Sequence, residues 1–398
     1  MLSSLHSLSR RVSSFNRAAH HTVPKCRPRL EALDGRTLLS TSGLHMVAAP
    51  SVSESSLNAV AEIGPNDVWA VGSFLNSSNN QIQPLAEHFD GTKWSVVPTP
   101  PAPSGSSFNS VAAVASNDVW AVGGSLIEHW NGTNWSIVTG AIPPNTGSLN
   151  AVTAISSNDV WAVGFTAGHN LIEHFDGTSW QVVTAPSPRN SDLFGVSADS
   201  PTDVWAVGTV GRSDSAPEFL HFNGTAWSTV TGPVTGFGSF LRSVVALAPN
   251  NAWAVGGNLI EHFDGTSWSV VASPQAGNGN DLFGVAAVSA NNVWAVGSFV
   301  DPNTNVSQTL TLHFDGTSWS IIPSPNVTST DSNSTASDSL TGVTANSNGD
   351  VVAVGGASLS NGQGNGLILA NNEPPGSTTF APAPPPPSPP SPGGGVID

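Results

Sequence analysis

Cysteine, tyrosine and charged residues are scarce in this chain of 398 residues. The single cysteine, Cys26, lies near the amino terminus, so the rest of the chain cannot be held together by disulfide bonds. Because tyrosine is absent, chemistry that needs a tyrosyl radical or a tyrosine nucleophile is excluded. No run of about 18 apolar residues occurs, which argues against a transmembrane helix.

Charged residues make up only 10% of the chain and are unevenly distributed. Residues 1–40 contain seven Lys/Arg against Glu31 and Asp34, although the whole chain has a net charge of −16. The remainder is therefore strongly acidic, and we expect it to repel nucleic acid and anionic membranes. The 40 glycines and 31 prolines favour a fold that is rich in turns.

The chain is rich in one repeat. Val-Trp-Ala-Val-Gly or a close variant occurs seven times, and six copies are followed by His-Phe-Asp-Gly-Thr-Xaa-Trp or a near match. The copies begin at Val68, Val119, Val160, Val204, Ala252, Val293 and Val351. Their spacing of 41 to 58 residues is typical of propeller blades.

Alternation and turn residues predict four strands in each repeat. In the first copy these are residues 57–63, 68–72, 85–89 and 94–97, separated by a tight turn, a long polar loop and an Asp-Gly hairpin turn. Four antiparallel strands form one propeller blade.

The seventh copy predicts how the ring closes. Its third strand, residues 366–370, is followed by a proline-rich segment, so a fourth strand is missing there. Residues 45–50 resemble the end of a fourth strand, with Met46 in the place of Trp. We therefore predict an all-β, seven-bladed propeller over residues 44–372, a disordered basic leader over 1–43, and a disordered Pro-rich tail over 373–398.

Tryptophan and histidine recur at fixed positions of the repeat. All 13 Trp lie inside the repeats, which favours packing between blades over a sugar-stacking surface. One histidine position is shared by six blades, at His88, His129, His174, His221, His262 and His313. The ligands of one metal ion must converge, whereas these six side chains would be spread around the ring. We therefore predict a structural role for the histidines. We predict no metal, cofactor or catalytic residue in this chain.

The repeated Val-Trp-Ala-Val-Gly and His-Phe-Asp-Gly-Thr-Xaa-Trp motifs resemble those of kelch-type propellers. They also resemble a bacterial repeat group with Asp-Val-Trp-Ala-Val-Gly and Glu-His-Trp-Asn-Gly-Thr-Xaa-Trp-Ser, which residues 128–136 match closely. Two enzymatic propellers, galactose oxidase and sialidase, depend on a tyrosine that this chain lacks. The resemblance implies the fold and says little about function, because such propellers include enzymes, adaptors and lectin-like modules.

A second resemblance concerns localisation. Residues 27–40, Arg-Pro-Arg-Leu-Glu-Ala-Leu-Asp-Gly-Arg-Thr-Leu-Leu-Ser, are similar to an amino-terminal segment of planctomycete-type surface and secreted proteins, except at Asp34 and Gly35. This resemblance implies a secreted or cell-surface bacterial protein; a plain disordered leader is the alternative.

Two loops of each repeat vary while the other two stay short and alike. The variable loops share one face of a four-stranded meander, and such loops usually carry recognition. We call this the variable-loop face. The candidate ligand-binding residues on it are Arg189, Arg212, Arg242, Asp192, Asp214, His169, Phe194 and Phe283. Arginine with aromatic neighbours suits a sugar or a carboxylate, although solvated or packing side chains are the simpler interpretation.

The sequence favours a monomeric, non-catalytic recognition module for a glycan or a protein. One alternative is a hydrolase or lyase with its site at the propeller axis. Because Glu62 is the only acidic residue in a predicted first strand, the catalytic carboxylates of such an enzyme would come from loop residues such as Asp192, Asp214 or Asp281. Another alternative is a structural cell-surface component.

Overall fold

The structure is a computed structural model that describes residues 43–50, 52, 54–142, 146–211, 215–233, 235–236, 239–327, 336–359 and 364–372. Within these ranges the chain forms 28 strands and no helix. The strands make seven four-stranded antiparallel sheets, which are the blades of a β-propeller. The seven-bladed all-β prediction is confirmed. The predicted tail, and the predicted leader except Gly43, lie outside the described residues.

The blades follow chain order. Blade 1 contains β2 (Ser55–Gly64), β3 (Asp67–Asn76), β4 (Gln81–Phe89) and β5 (Trp94–Val96); blade 2 contains β6 (Ser110–Ala115), β7 (Asp118–Gly123), β8 (Leu126–Trp130) and β9 (Trp135–Ile137); blade 3 contains β10 (Gly147–Ser156), β11 (Asp159–Thr166), β12 (His169–Phe175) and β13 (Trp180–Val182). Blade 4 contains β14 (Ser191–Ser200), β15 (Asp203–Val210), β16 (Ala216–Phe222) and β17 (Trp227–Thr229); blade 5 contains β18 (Ser243–Ala248), β19 (Asn251–Gly256), β20 (Leu259–Phe263) and β21 (Trp268–Val271). Blade 6 contains β22 (Asn278–Ser289), β23 (Asn292–Val300), β24 (Ser307–Phe314) and β25 (Trp319–Ile321); blade 7 contains β26 (Ala336–Ala345), β27 (Val351–Leu359), β28 (Gly364–Ala370) and β1 (His45–Met46).

The repeated pentapeptide in the second strand of each blade is apolar because both faces of the strand are buried there. In β3, Val68 and Ala70 belong to the apolar cluster shared with blade 7, whereas Trp69 and Val71 belong to the cluster shared with blade 2. Alternate residues of a strand point to opposite faces, so each of these strands serves two interfaces. One such cluster lies between every pair of neighbouring blades.

Tryptophan fills most of these interfaces, as predicted. Between blades 2 and 3, the ring of Trp120 lies 4.3 Å from His129 of its own blade and 4.9 Å and 5.5 Å from Phe175 and Trp180 of the next. The same three contacts recur at Trp69, Trp161, Trp205 and Trp253. These tilted and edge-on contacts between aromatic rings stabilise each interface beyond the burial of area.

The Asp-Gly-Thr turn between third and fourth strands is held by its own side chain. Asp90 accepts hydrogen bonds from the backbone N–H groups of Thr92 and Lys93 at 2.9 and 3.0 Å. A hydrogen bond from the Thr92 hydroxyl, together with these backbone bonds, lowers the pKa of Asp90 to about 2. Gly91 has φ +87° and packs against Asn66, so the turn requires glycine.

The amino-terminal strand closes the ring, as predicted, but in a different alignment. β1 pairs with β28, with His45 opposite Ala370 and Met46 opposite Leu369. This register makes Leu44 the equivalent of the fourth-strand Trp, and Leu44 is buried while Met46 is 43% exposed. The prediction that Met46 replaces Trp is therefore wrong by two residues. Two residues are one full period of a strand, so both alignments have the same alternation of inward and outward side chains.

Candidate binding site at the channel mouth

The first strands of the seven blades surround a central channel of about 250 Å³. Each first strand begins at the variable-loop face, so its early residues lie near that mouth of the channel. One repeat position, which we call the channel column, lines it in every blade. From blade 1 to blade 7 this column reads Asn58, Asn109, Asn150, Phe194, Arg242, Phe283 and Thr341.

The last glycine of the repeated pentapeptide makes room for the channel column. In blade 1 the strand register shifts between Leu57 and Ala59, so Asn58 is the extra residue of a β-bulge. A Cβ on the opposing Gly72 would lie 2.0 Å from the backbone oxygen of Ser56, a distance no side chain tolerates. The glycine therefore recurs because the backbone approaches closely there.

Four residues of the column form a belt of hydrogen bonds between blades. The side-chain amides of Asn58, Asn109 and Asn150 donate to the carbonyls of Phe108, Leu149 and Leu193 in the next blade, at 2.7, 3.0 and 2.8 Å. The hydroxyl of Thr341 likewise donates to Leu57 at 2.7 Å. The belt joins blades 7, 1, 2, 3 and 4, and its side chains hold neighbouring blades together.

Blades 4 to 6 interrupt the belt with Phe194, Arg242 and Phe283. The Arg242 guanidinium lies 4.7 Å from the ring centroid of Phe240 and 4.6 Å from that of Phe283, so it is held between two aromatic rings. Its Nη2 is 3.4 Å from Oδ2 of Asp281, and 37% of the Arg242 side chain is exposed. An oriented, accessible cation is thus present where the other blades have neutral side chains.

Two further acidic side chains lie in blade 4. Burial raises the pKa of Asp192, which lies two residues before Phe194 in β14. Glu218 in β16 accepts a hydrogen bond from the amide of Asn170 at 2.9 Å. Burial raises the pKa of Glu218 to about 7, an effect that the Asn170 hydrogen bond opposes and the nearby Asp192 reinforces. The Glu218 carboxyl can therefore be partly neutral at physiological pH.

The structure brings together only part of the predicted site. Arg242, Phe194 and Phe283 line the channel. His169 begins β12, with Nδ1 3.3 Å from the backbone oxygen of Ser187, and Arg189 is exposed in the loop before β14. Neither of those two residues lines the channel. Arg212 and Asp214 lie outside the described residues.

Sequence reasoning missed the asparagine belt, and its placement of Asp192 and Asp281 in loops was wrong. The belt was detectable, because aligning the seven first strands puts three asparagines in the column that holds Arg242. Asp192 and Asp281 lie in first strands β14 and β22, not in loops, so Glu62 is not the only acidic residue there. These polar segments pair as strands up to the variable-loop face, although their composition alone suggests loops.

The repeated histidines have a structural role, as predicted. Each Nε2 hydrogen-bonds with the Asp or Asn that begins the second strand of its blade. The pairs are His88–Asp67, His129–Asp118, His174–Asp159, His221–Asp203, His262–Asn251 and His313–Asn292, at 2.6 to 3.0 Å. Among the described residues, no group of three or more His, Cys, Asp or Glu is arranged to hold a metal ion.

No helix in the described part of the chain is long and apolar enough to cross a membrane.

Solved structures similar to this chain are propellers that differ greatly in sequence. YCF48 bound to a D1 peptide matches with a TM-score of 0.56 and 16% identity, over 86% of this chain and 98% of that one. The extracellular domain of BT4673 from B. thetaiotaomicron matches with a TM-score of 0.55 and 10% identity, over 83% of this chain and 40% of that one. Chaetomium thermophilum Sqt1 bound to the N-terminus of ribosomal protein L10 matches with a TM-score of 0.50 and 13% identity, over 77% of this chain and 84% of that one.

Sequence comparison adds no relative to these structures. No family model and no curated protein matches the chain. At such low identity, similarity of structure establishes the fold and nothing finer. The chain is a seven-bladed β-propeller.

Proposed function

We propose that this chain is a non-catalytic recognition module that binds a protein segment at the channel mouth on its variable-loop face, with a glycan as the second ligand class. The observation that carries the proposal is Arg242, fixed between Phe240 and Phe283 at a position where other blades have neutral side chains. Two similar propellers, YCF48 and Sqt1, are described with a bound peptide or protein terminus, which supports a protein ligand.

The chemistry of the mouth suits a neutral polar chain. The Arg242 guanidinium supplies N–H donors, and the neighbouring carboxylate of Asp281 supplies acceptors. A peptide backbone presents both a donor and an acceptor at each residue, and so does a sugar hydroxyl. The phenyl rings of Phe194 and Phe283 offer apolar surface beside these groups. A strongly anionic ligand would be opposed by the net charge of −16.

Replacing Arg242 with alanine is expected to weaken ligand binding by about tenfold or more, because oriented arginines at the centre of an interface commonly carry much of the binding energy. The measurement is a screen of the full-length protein against a displayed random peptide library and a glycan array, followed by titration of the best binders. Arg189→Ala is the matched control, since Arg189 is exposed on the same face but away from the channel.

Binders that respond to Arg242→Ala but not to Arg189→Ala support the proposal. Binders that are insensitive to Arg242→Ala would place recognition elsewhere. The absence of any binder in both screens would favour the purely structural alternative. Sugar binding without peptide binding would select the glycan class.

We also propose that the chain is a kelch-like propeller at the bacterial cell surface or in the medium. Support comes from the repeat motifs and from residues 27–40, which lie outside the described part of the chain. The proposal predicts that the protein expressed in a planctomycete host is recovered from the envelope or medium, and recovery in the cytosol alone would refute it.

A further inference from the structure

A pocket of about 140 Å³ lies between blades 7 and 1, on the face opposite the variable loops. Its interior is apolar, and its rim is formed by the short turns between first and second strands. The side chains that matter for its chemistry are those of Phe89, Trp94, Val352, Ala370, Glu62 and Asp350. Among the described residues, none that lines the pocket is basic.

The pocket exists because blade 7 departs from the repeat at two positions. The pairing of β27 with β28 makes Val352 the equivalent of the second-strand Trp and Ala370 the equivalent of the histidine beside it. In blade 2 those positions hold Trp120 and His129, whose rings lie 4.3 Å apart. Loss of both rings leaves an empty space against blade 1.

Aromatic surface remains on the other side of the gap. Phe89 and Trp94 of blade 1 correspond to Phe175 and Trp180 of blade 3, which contact Trp120 at 4.9 and 5.5 Å. In blade 1 these two rings contact each other at 5.6 Å, and Val352 takes the place of the missing indole. The pocket is thus already lined to accept a flat aromatic ring.

The missing side chains also leave a carboxylate without its usual donors. Asp350 occupies the position of Asp118, which receives the indole N–H of Trp120 at 3.1 Å and hydrogen-bonds with His129 at 2.9 Å. In blade 7 neither donor is present, and Asp350 contacts the amides of Asn346 and Asn372 instead.

A second carboxylate lines the same pocket. One oxygen of Glu62 accepts a hydrogen bond from Asn346, while the other, Oε2, is buried and has no partner within the described residues. Burial raises the pKa of Glu62, an effect the Asn346 hydrogen bond opposes and Asp350 reinforces. A cation entering the pocket would favour the ionised form.

We propose that this pocket binds an aromatic ring that carries a protonated amine, of the indolylamine class. The ring would occupy the position of the missing tryptophan against Phe89 and Trp94, and the ammonium or ring N–H would be received by Asp350 and Glu62. A purely apolar ligand would leave Oε2 of Glu62 without a donor, and an anionic one would be repelled by both carboxylates.

Tryptamine is the probe, and calorimetric titration of the full-length protein is the measurement. Tryptamine should bind wild type at least about tenfold more tightly than indole-3-acetate, which has the same ring and the opposite charge. Val352→Trp restores the repeat residue, should fill the pocket, and should weaken tryptamine binding by about tenfold or more. Arg242→Ala, at the opposite mouth of the channel, should leave tryptamine binding unchanged.

Val352→Trp should also raise the thermal midpoint by a few degrees, about 2–4 °C, because filling a void restores lost contacts. Glu62→Gln is the second variant, usable if Val352→Trp does not fold, and should reduce tryptamine binding while leaving indole binding unchanged. Equal binding of tryptamine and indole-3-acetate, or full tryptamine binding by either pocket variant, would overturn the proposal.

Discussion

Replacing Trp205 with alanine is expected to lower the free energy of unfolding by about 3–5 kcal/mol, the range found for large aromatic residues deleted from cores. Trp205 is 1% exposed. Its ring lies 4.4 Å from His221, 4.7 Å from Phe263 and 5.2 Å from Trp268. The rigid sheets on either side cannot close the resulting cavity, so the lost contacts are not recovered. Denaturant titration followed by circular dichroism measures the change.

The same repeat position in blade 6 provides a matched control. Trp294 is only half-buried and, in the described structure, contacts one ring, that of His313 at 4.4 Å. Blade 7 places Leu44 and Asn371 where other blades have Trp and Phe, so Trp294 lacks two aromatic neighbours. Trp294→Ala should therefore cost about half as much as Trp205→Ala or less. Equal losses would contradict the view that contacts across the blade interface carry the stability.

The protein is expected to be more stable near pH 5 than near pH 8. Glutamates precede the repeated histidine in four blades, at Glu87, Glu128, Glu173 and Glu261, and all four are at most 2% exposed. Burial raises the pKa of Glu128 from 4.5 to about 8 and that of Glu87 and Glu261 to about 7. Both carboxylate oxygens of Glu128 lack a hydrogen-bond partner within the described residues.

The direction of this pH dependence follows from which state, folded or unfolded, binds the glutamate proton more tightly. A glutamate with a raised folded-state pKa binds its proton more tightly in the native protein than in the unfolded chain. Its contribution to stability is complete below pH 4.5, the unfolded pKa, and is lost progressively as pH rises to about 8 for Glu128. Ionisation above that pH places an unpaired charge between two blades, which is costly.

Glu128→Gln tests this pH dependence directly. Glutamine is nearly isosteric and cannot ionise, so the variant should resemble wild type at pH 4.5 and be more stable at pH 8 by on the order of 4 kcal/mol, given about 1.4 kcal/mol per pKa unit. Thermal midpoints measured from pH 4.5 to pH 8.5 give the comparison. A variant whose midpoint falls with pH as steeply as that of wild type would refute the assignment.

Glu173→Gln is the matched contrast. One oxygen of Glu173 accepts the backbone N–H of Ala141 at 3.0 Å, which favours the ionised form and opposes the effect of burial on the pKa of Glu173. Its replacement should therefore give a smaller gain at pH 8 than that of Glu128. The order of the two gains separates local hydrogen bonding from burial as the cause.

Most of the architecture was predictable because it is repeated. Seven copies of one strand pattern show which residues alternate and where the chain turns, and any local ambiguity in one copy is resolved by the others. The exception is the ring closure, where there is a single copy. Leu44 and Met46 are both apolar and two residues apart, so only the pairing of β1 with β28 shows that Leu44 enters the core.

The candidate site was less predictable because its parts come from different blades. Sequence placed Arg242 and Phe283 on the variable-loop face, but their contact at 4.6 Å depends on the closed ring, which sets first strands side by side. Arg189, in the loop before β14, does not line the channel. Distance along the chain carries no information about which loops meet at the axis.

By itself the sequence determined the blade count, the strand order and the packing role of tryptophan, since these follow from periodicity, alternation and turn chemistry within one repeat. The tertiary structure alone decided how residues of different repeats meet. It assembled the Phe240–Arg242–Phe283 stack and opened the pocket that Val352 and Ala370 leave beside Trp94. Both features depend on side chains meeting across blade interfaces, which are defined only when the ring is closed.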